Sequence, residues 1–526
     1  MSKNSDIAIE AMKASKALMI EEPLLFEQGA EGRMGVDLPA PPAHKPRTGA
    51  MRRVGKIGLP GLSEPEVVRH YTRLSQKNFG IDSAFYPLGS CTMKHNPRIN
   101  EKAARMAGFA DIHPLQPTST VQGALELIDR LAHWLKMLTG MPAVAMSPGA
   151  GAHGEFCGMA VIKKALEAKG EKRHKVLVPE SAHGTNPATA AELGFAVESI
   201  PANEKGRVDL KALQAKLGPD VAALMLTNPN TCGLFEGDIV AIAEMVHKAG
   251  AYFYCDGANF NAIVGRVRPA DLGIDVMHIN LHKTFSTPHG GGGPGAGPVV
   301  MAESLAPYAP MPYVVHDAKG FRLIEQAADA GNNKPFGRIK GFNGQMGMFV
   351  RALAYILSHG ADGLWQVSSD AVLNANYILA SLKDVMSAPF EGPCMHEALF
   401  DDRFLKDTTL STLDIAKALI DRGFHPMTMY FPLVVHGAFL IEPTETESKE
   451  TLDAFIAALR DLAHEAKRGN KELFKAAPHF TPRRRLDETR AARQPVLRWT
   501  PPAASTEDGE SADDSEPEPR RVQAGR

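Results

Sequence analysis

Cysteine is scarce in this sequence, and the few cysteines present are scattered. The five are Cys91, Cys157, Cys232, Cys255 and Cys394, with no close pair among them. This spacing resembles neither a disulfide framework nor a zinc site, so we expect no metal site and a reducing compartment, the cytoplasm. The alternative for each cysteine is a small buried apolar residue.

Excess charge and long apolar runs are also lacking. The net charge is −2, which gives no global electrostatic case for binding nucleic acid. No apolar run approaches the length of about 18 residues that suggests a membrane-spanning helix, and the N-terminus lacks the apolar core of a secretory signal. Nucleic acid and membrane are therefore not expected partners. The 526 residues are 44% hydrophobic, enough for two or more domains with large cores.

Short apolar runs alternate with helical periodicity between about residues 140 and 305. The runs are 176–178, 195–200, 221–226, 251–255, 276–279 and 299–301. This alternation predicts an α/β fold with a mainly parallel sheet that is covered on both faces. Ligands of such sheets bind outside the carboxyl ends of the strands, and the polar motifs of this region all follow apolar runs.

One lysine stands between an apolar run and a glycine-rich segment. Lys283 follows the run 276–279, and Asp256 follows the run 251–255. An aspartate and a lysine at the ends of neighbouring strands indicate pyridoxal phosphate, with the lysine as Schiff base and the aspartate on the pyridinium nitrogen. The alternative is that Lys283 is a solvated surface charge, as most lysines are.

Six glycines occur among the eight residues 290–297. From Gly290 to Gly295 they spell G-x-G-x-x-G, a dinucleotide-binding fingerprint. That fingerprint needs a helix directly after it, whereas prolines and the strand-like run 299–301 follow here. We therefore favour a segment in which the backbone approaches a ligand closely.

A turn of small residues, 147–155, leads into a helical segment. Small residues at a helix N-terminus leave backbone N–H groups free to hold a phosphate, and the helix dipole favours the anion. We expect the ring of His153 to stack on a flat cofactor, the alternative being a cap turn with a surface histidine. Two donor-rich loops, 181–189 and 227–233, follow other strands, although each alone indicates only a turn.

Composition divides the chain into four predicted parts. Residues 1–64 have little periodicity and are predicted to form an extended N-terminal arm, and residues 65–330 the large domain. Residues 331–499 are predicted to form a smaller α+β C-terminal domain that opens with a helical region at 336–382. The acid-rich end, 500–526, has no aromatic residue and is predicted to be disordered.

Several of these motifs resemble those of one enzyme family. The matching stretches lie between residues 23 and 499 and include 85–97, 113–117, 120–124, 150–155, 229–236, 256–259, 282–294 and 441–450. The chain resembles the pyridoxal-phosphate subunit of glycine dehydrogenase (decarboxylating), the P-protein of the glycine cleavage system. Within that family it is most similar to subunit 2 of the two-subunit bacterial form.

The resemblance implies fold type I of the pyridoxal-phosphate enzymes, with a mainly parallel seven-stranded sheet. It implies decarboxylation of glycine, release of CO2 and transfer of the aminomethyl group to the oxidised lipoyl group of H-protein. The implied partners are glycine, lipoylated H-protein and subunit 1, in a heterotetramer with two copies of each chain. Segment 290–297 then becomes a candidate wall of the lipoyl-arm entrance. Another fold type I enzyme, such as an amino-acid decarboxylase or aldolase, and a non-catalytic partner subunit remain alternatives.

These motifs define the expected site. The candidate catalytic residues are Lys283, Asp256 and His153. The expected contacts of the cofactor are Lys283, Gly151, Ala152, His153, Thr185, Asn230, Asp256, Ala258 and His282.

Overall fold

The computed structural model describes residues 21–40, 42–45, 47–55, 57–290 and 295–500. Three predictions fall partly or wholly outside this range. They concern the first twenty residues of the arm, residues 291–294 of the glycine-rich segment and the tail from residue 501.

The secondary structure of the described residues is as follows. The helices are α1 (Glu64–Gln76), α2 (Arg98–Ala104), α3 (Ala107–Ala110), α4 (Gln122–Thr139), α5 (Gly151–Lys169), α6 (Thr185–Glu192), α7 (Leu210–Lys216), α8 (Ile239–Lys248), α9 (Leu281–Thr284), α10 (Met346–Leu382), α11 (Thr412–Ile420), α12 (Lys449–Lys467), α13 (Lys471–Lys475) and α14 (Glu488–Arg493). The strands are β1 (Ala143–Ala145), β2 (Lys175–Pro179), β3 (Ala196–Ile200), β4 (Val221–Thr227), β5 (Tyr252–Gly257), β6 (Val276–Ile279), β7 (Val299–Met301), β8 (Tyr313–Asp317), β9 (Gly320–Ile324), β10 (Ala398–Phe400), β11 (Thr428–Met429) and β12 (Phe439–Ile441).

Seven of these strands form one sheet in the order β1-β7-β6-β5-β4-β2-β3. The neighbours from β6 to β3 pair in parallel, and β7 runs antiparallel to both β6 and β1. A parallel neighbour needs a long crossover connection. Between β6 and β7 the described residues hold only the four-residue helix α9, which is consistent with an antiparallel return. The predicted α/β fold with a mainly parallel seven-stranded sheet is confirmed.

Helices cover both faces of this sheet. Successive side chains of a strand point to opposite faces, so each central strand contributes to two hydrophobic cores. In β5, Phe253 and Cys255 belong to a hydrophobic core shared with α4, α8 and the start of α10. Tyr252 and Tyr254 belong to a second core, shared with α5. Every residue of β4 and β5 is buried, as expected of parallel strands inside an α/β domain.

The strand register brings polar residues together at the carboxyl edge of the sheet. Thr227 at the end of β4 pairs with Asp256 near the end of β5, and Asp256 pairs with His278 in β6. Lys283 follows β6 in α9, and the N-terminus of α5 follows β1 after a five-residue connection, 146–150. This edge is the ligand-binding side of an open α/β sheet.

A smaller antiparallel sheet, ordered β10-β12-β11, lies in the C-terminal part. Helix α10 connects to it and breaks at Gly360, whose φ of 63° and ψ of −172° are not helical. The sequence prediction that this helix begins near residue 336 is wrong, because it begins at Met346. Residues 336–345 include three glycines, which disfavour helix.

The described residues divide into two compact units, one made of those up to Lys77 together with those from Arg485 to residue 500, and the other of those within Asn78–Arg484. In the first unit, the ring of Phe26 stacks on Trp499 at 5.3 Å. The large and small sheets both belong to the second unit. The predicted boundaries at 64, 330 and 499 stay predictions. No helix among the described residues has the length and apolar character needed to cross a bilayer.

Candidate functional site

A cavity of about 140 Å³ lies at the carboxyl edge of the large sheet. Five of the predicted site residues line it, namely Lys283, Asp256, Ala152, Thr185 and Ala258. The other lining residues are Ser90, Glu155, His183, Thr227, Thr231, Asn259 and His278. The fold therefore collects side chains from loops that are far apart in sequence.

Asp256 is a buried carboxylate that several donors hold in place. Its Oδ1 atom accepts a hydrogen bond from the backbone N–H of Ala258 (2.9 Å) and lies 3.3 Å from Nε2 of His278. Its Oδ2 atom accepts one from Nδ2 of Asn186 at 3.0 Å. Burial alone would raise the pKa of Asp256, but the charge of His278 and the hydrogen bonds outweigh it, so the pKa lies below its usual value. Asp256 is therefore ionised at neutral pH.

A second buried carboxyl, Glu155, stands beside it. Nδ2 of Asn186 also donates to Oε2 of Glu155 at 2.9 Å, so one amide bridges the two acids. The hydroxyl of Thr185 donates to Oε1 of Glu155 at 2.8 Å. Burial and the negative charge of Asp256 raise the pKa of Glu155. The pair thus separates into one carboxylate that is kept ionised and one carboxyl that resists ionisation.

Lys283 lies in α9 with only 8% of its surface exposed. Its Nζ donates to the backbone carbonyl of Ser90 at 2.7 Å, a residue nearly two hundred positions earlier in the chain. The neighbouring helix residue, Thr284, is fully buried. A buried amine that shares a cavity with an ionised carboxylate is a candidate nucleophile toward a bound carbonyl compound.

The N-terminus of α5 forms another wall. Ala152 lies in its first turn, where backbone N–H groups have no partner within the helix. Gly151 and Gly297 allow close packing here, since a Cβ at Gly151 would lie 2.9 Å from the amide of Asn280 and one at Gly297 only 2.0 Å from the carbonyl of Ala150. Residues 295–298 continue into strand β7 without a helix, so the dinucleotide fingerprint lacks its required context.

Four predicted residues do not line the cavity, namely Gly151, His153, Asn230 and His282. Nδ1 of His153 accepts from the N–H of Gly149 at 3.2 Å, and its Nε2 therefore donates to the carbonyl of Ile339 at 3.1 Å. Nδ2 of Asn230 donates to Oε1 of Glu236 and to the backbone carbonyl of Gly206, both at 2.9 Å. His282 packs edge-on against the ring of a second histidine, His289, at 5.0 Å. Burial lowers the pKa of His282 to about 3, which keeps it neutral.

Comparison of this sequence with those of known proteins identifies the family to which the chain belongs. A protein of Caulobacter vibrioides named "Probable glycine dehydrogenase (decarboxylating) subunit 2" is 67% identical over 500 residues, which cover 94% of this chain and 95% of that protein. This chain belongs to the glycine dehydrogenase (decarboxylating) subunit 2 family. A Listeria monocytogenes protein of the same name is 52% identical over 483 residues, covering 91% of this chain and 98% of that protein.

Two family models match within this subunit 2 chain. "Glycine dehydrogenase, C-terminal domain" matches residues 367–479, and "Aminotransferase class-V" matches residues 153–292, which include Asp256 and Lys283. The solved "glycine decarboxylase (P-protein) of the glycine cleavage system, in inhibitor-bound form" superposes with a TM-score of 0.67 at 24% identity, covering 79% of this chain and 93% of that one. A Lactobacillus brevis glutamate decarboxylase gives 0.62 at 13% identity, covering 81% and 99%. The fold is type I of the pyridoxal-phosphate enzymes.

A buried ion pair, Lys94 with Glu445, contacts helix α9 of the subunit 2 chain. Nζ of Lys94 lies 2.6 Å from Oε1 of Glu445 and donates to the carbonyl of Thr284 at 3.0 Å. The hydroxyl of Tyr355 and the amide of Asn261 complete its surroundings at 3.2 and 2.8 Å. Burial lowers the pKa of Lys94, and Glu445 opposes that shift. The segment that carries Lys283 is thereby tied to the C-terminal part of the chain.

Sequence reasoning did not select several residues of the cavity. His278 is a polar residue within an otherwise apolar buried strand. His183 lines the cavity, and Asn186 in α6 bonds Asp256; both belong to the segment 181–189, from which the site prediction took neither. These were detectable signals. Ser90 contributes a backbone carbonyl, which no side-chain pattern reveals.

Proposed function

We propose that this chain is the catalytic subunit of a two-chain glycine dehydrogenase and that it binds pyridoxal phosphate in the cavity at the carboxyl edge of the large sheet. It decarboxylates glycine and transfers the remaining aminomethyl group to the oxidised lipoyl group of H-protein. The observation that carries this proposal is the meeting of buried Lys283 with ionised Asp256 in one cavity. The names of the relatives, glycine dehydrogenase (decarboxylating) subunit 2, support the substrate and the reaction.

The residues of the cavity suit each part of that cofactor. Lys283 offers an amine for its aldehyde, and Asp256 offers a carboxylate for its ring nitrogen. The first turn of α5 at Ala152 offers N–H groups for its phosphate. The buried hydroxyl of Thr227 borders the cavity and has no hydrogen-bond partner among the described residues, so it is free to donate to a ligand.

Pyridoxal phosphate, when bound, supplies an electron sink for the electron pair that remains after CO2 leaves. The protein residues prepare that chemistry. Asp256 is held ionised by Asn186, Ala258 and His278, so it favours a protonated ring nitrogen opposite it. Nζ of Lys283 donates to the Ser90 carbonyl, and this hydrogen bond holds the amine beside the cavity, where it can serve as a nucleophile.

His183 takes the stacking role in this proposal, in place of His153. The ring of His183 borders the cavity, and its Nδ1 atom is 2.9 Å from the hydroxyl of Thr185. The ring lies edge-on to Phe431, with centroids 5.6 Å apart. His153 has both ring nitrogens bonded to backbone atoms and does not line the cavity.

The acceptor and the partners are part of the same proposal. "Subunit 2" in the names of the relatives implies a first subunit, and we propose a heterotetramer with two copies of each chain. Lipoylated H-protein delivers the acceptor, and the segment around Gly290 is the proposed wall of its entrance. The cytoplasm is the proposed location, because the five cysteines form no disulfide pattern.

Lys283→Ala tests the proposal in the protein purified together with subunit 1. We expect it to abolish the visible absorbance of bound cofactor and the exchange of the glycine carboxyl group with CO2, because the amine that anchors the cofactor is gone. Lys211→Ala, which changes an exposed lysine on α7, is the matched control and keeps both signals.

Three outcomes would contradict the assignment. Full exchange activity in Lys283→Ala would remove the lysine from the site. Glycine decarboxylation by the wild-type protein that does not depend on H-protein would indicate another fold type I enzyme. A wild-type protein that takes up no cofactor would indicate a non-catalytic subunit.

A further inference from the structure

Two buried glutamates lie side by side at one end of the small sheet. Glu397 directly precedes β10, and Glu442 directly follows β12. The two strands pair antiparallel with Ala398 opposite Ile441, so the register places the glutamates next to each other. Both side chains are fully buried, and one carboxylate oxygen of each lies within 4.8 Å of the other and of a ring nitrogen of buried His396. Burial and the charge of Glu442 raise the pKa of Glu397.

Both acids bind one loop of the N-terminal part of the chain. Glu397 accepts a hydrogen bond from the backbone N–H of Ser90. Glu442 accepts two from Thr92, one from its hydroxyl and one from its backbone N–H at 2.9 Å.

This loop, residues 90–92, has an unfavourable backbone. The φ angles are 62° at Ser90 and 32° at Thr92, in the left-handed region that residues other than glycine seldom occupy. Such a conformation persists only where its surroundings enforce it. The glutamates supply that enforcement, because they hold the N–H groups of both residues.

The loop matters because it holds the lysine. The carbonyl of Ser90 accepts the hydrogen bond from Nζ of Lys283 at 2.7 Å. A continuous set of contacts thus runs from the small sheet through Thr92 and Ser90 to the lysine. Neither glutamate lines the cavity.

We propose that Glu397 and Glu442 are positioning residues, which hold loop 90–92 so that the Ser90 carbonyl places the Lys283 amine for capture of its carbonyl ligand. This inference rests on the proposed function, in which that ligand is pyridoxal phosphate. It predicts that the hydroxyl of Thr92, which does not line the cavity, controls how fast the lysine captures the cofactor.

The test uses the protein purified with subunit 1 and stripped of cofactor, and follows the visible absorbance after mixing with pyridoxal phosphate. Thr92→Val removes one hydrogen bond to Glu442, and we expect capture to slow by at least about tenfold. Thr92→Ser keeps the hydroxyl and restores capture to near the wild-type rate. Thr412→Val is the matched control, because it removes a buried threonine hydroxyl that donates to the Gly437 carbonyl at 2.8 Å, away from the loop.

Wild-type capture in Thr92→Val would overturn the proposal, and so would equal slowing in Thr92→Val and Thr92→Ser, since side-chain size rather than the hydroxyl would then matter. Equal slowing in Thr92→Val and Thr412→Val would also overturn it. Lys283→Ala separates this result from a failure of the proposed function. If that variant captures cofactor with the wild-type spectrum, the lysine assignment fails; if it does not, the Thr92 series tests the glutamates alone.

Discussion

Replacing Asn186 by leucine should destabilise the folded chain by an amount that the geometry sets. The amide of Asn186 is fully buried and donates to Asp256 and Glu155 at 3.0 and 2.9 Å. The bond to ionised Asp256 is worth about 1.5–3 kcal/mol, and the bond to Glu155, whose pKa is raised, about 0.5–1.5 kcal/mol. Asn186→Leu should therefore lower the free energy of unfolding at pH 7 by about 2–4.5 kcal/mol.

The loss should depend on pH in a defined direction. The pKa of Asp256 is lowered in the folded chain, so its ionised form adds stability above its unfolded pKa, and this stability is lost as the pH falls. Without the hydrogen bond from Asn186, the pKa of Asp256 in the folded chain is lowered less. The difference between Asn186→Leu and wild type should thus be largest near pH 7 and shrink below about pH 4.

Urea unfolding of the cofactor-free chain, at pH 7 and below about pH 4, measures the difference in stability between Asn186→Leu and wild type. Asn100→Leu is the control. Asn100 is also fully buried, but its side-chain amide has no hydrogen-bond partner among the described residues. Its replacement should cost little, because it removes unsatisfied polar atoms. Equal destabilisation by both variants, or a change below about 0.5 kcal/mol in Asn186→Leu, would refute the amide-bridge argument.

Three further predictions concern packing and charge. Lys94→Met should cost about 3–5 kcal/mol in urea unfolding because it leaves Glu445 buried without its cation, and Lys94→Met/Glu445→Leu should recover most of that loss. Gly297→Ala should weaken cofactor binding at least about tenfold in an absorbance titration, because its Cβ would strike a carbonyl oxygen of the α5 turn; Gly123→Ala, with open space around it, should not. Burial raises the pKa of Glu447 to about 7, so ionisation of this residue destabilises the folded chain increasingly as the pH rises from 4.5 to about 7. Glu447→Gln should therefore raise the melting temperature at pH 8 and not at pH 4.

The sheet was predictable because its strands are continuous apolar runs, and all six runs became strands. Strand β1 was not foreseen, since Ala143–Ala145 is three residues long and has no pattern of its own. The hairpin of β8 and β9 is part-exposed and was also missed. Periodicity reports burial, so it fails where strands are short or exposed.

For the site, sequence located the loops better than the side chains that face inward. Lys283 and Asp256 were selected because they follow strands, and both line the cavity. In the first turn of α5 the prediction chose the only aromatic ring of segment 147–155, His153, although its nitrogens bond to the backbone. In loop 227–233, the amide of Asn230 bonds Gly206 and Glu236, whereas Thr231 lines the cavity. Which side chain points to a ligand depends on local backbone geometry, which composition does not encode.

Helix α10 has a consequence for dissecting this protein. Its first half contributes Phe349 and Leu353 to the core beside the large sheet, and its second half contributes Ile378 and Leu382 to the core of the small sheet. A fragment that ends before Met346 would expose apolar surface that the helix normally covers. The two cores should therefore unfold together, and expression of either half alone should yield aggregation-prone material rather than an independent module.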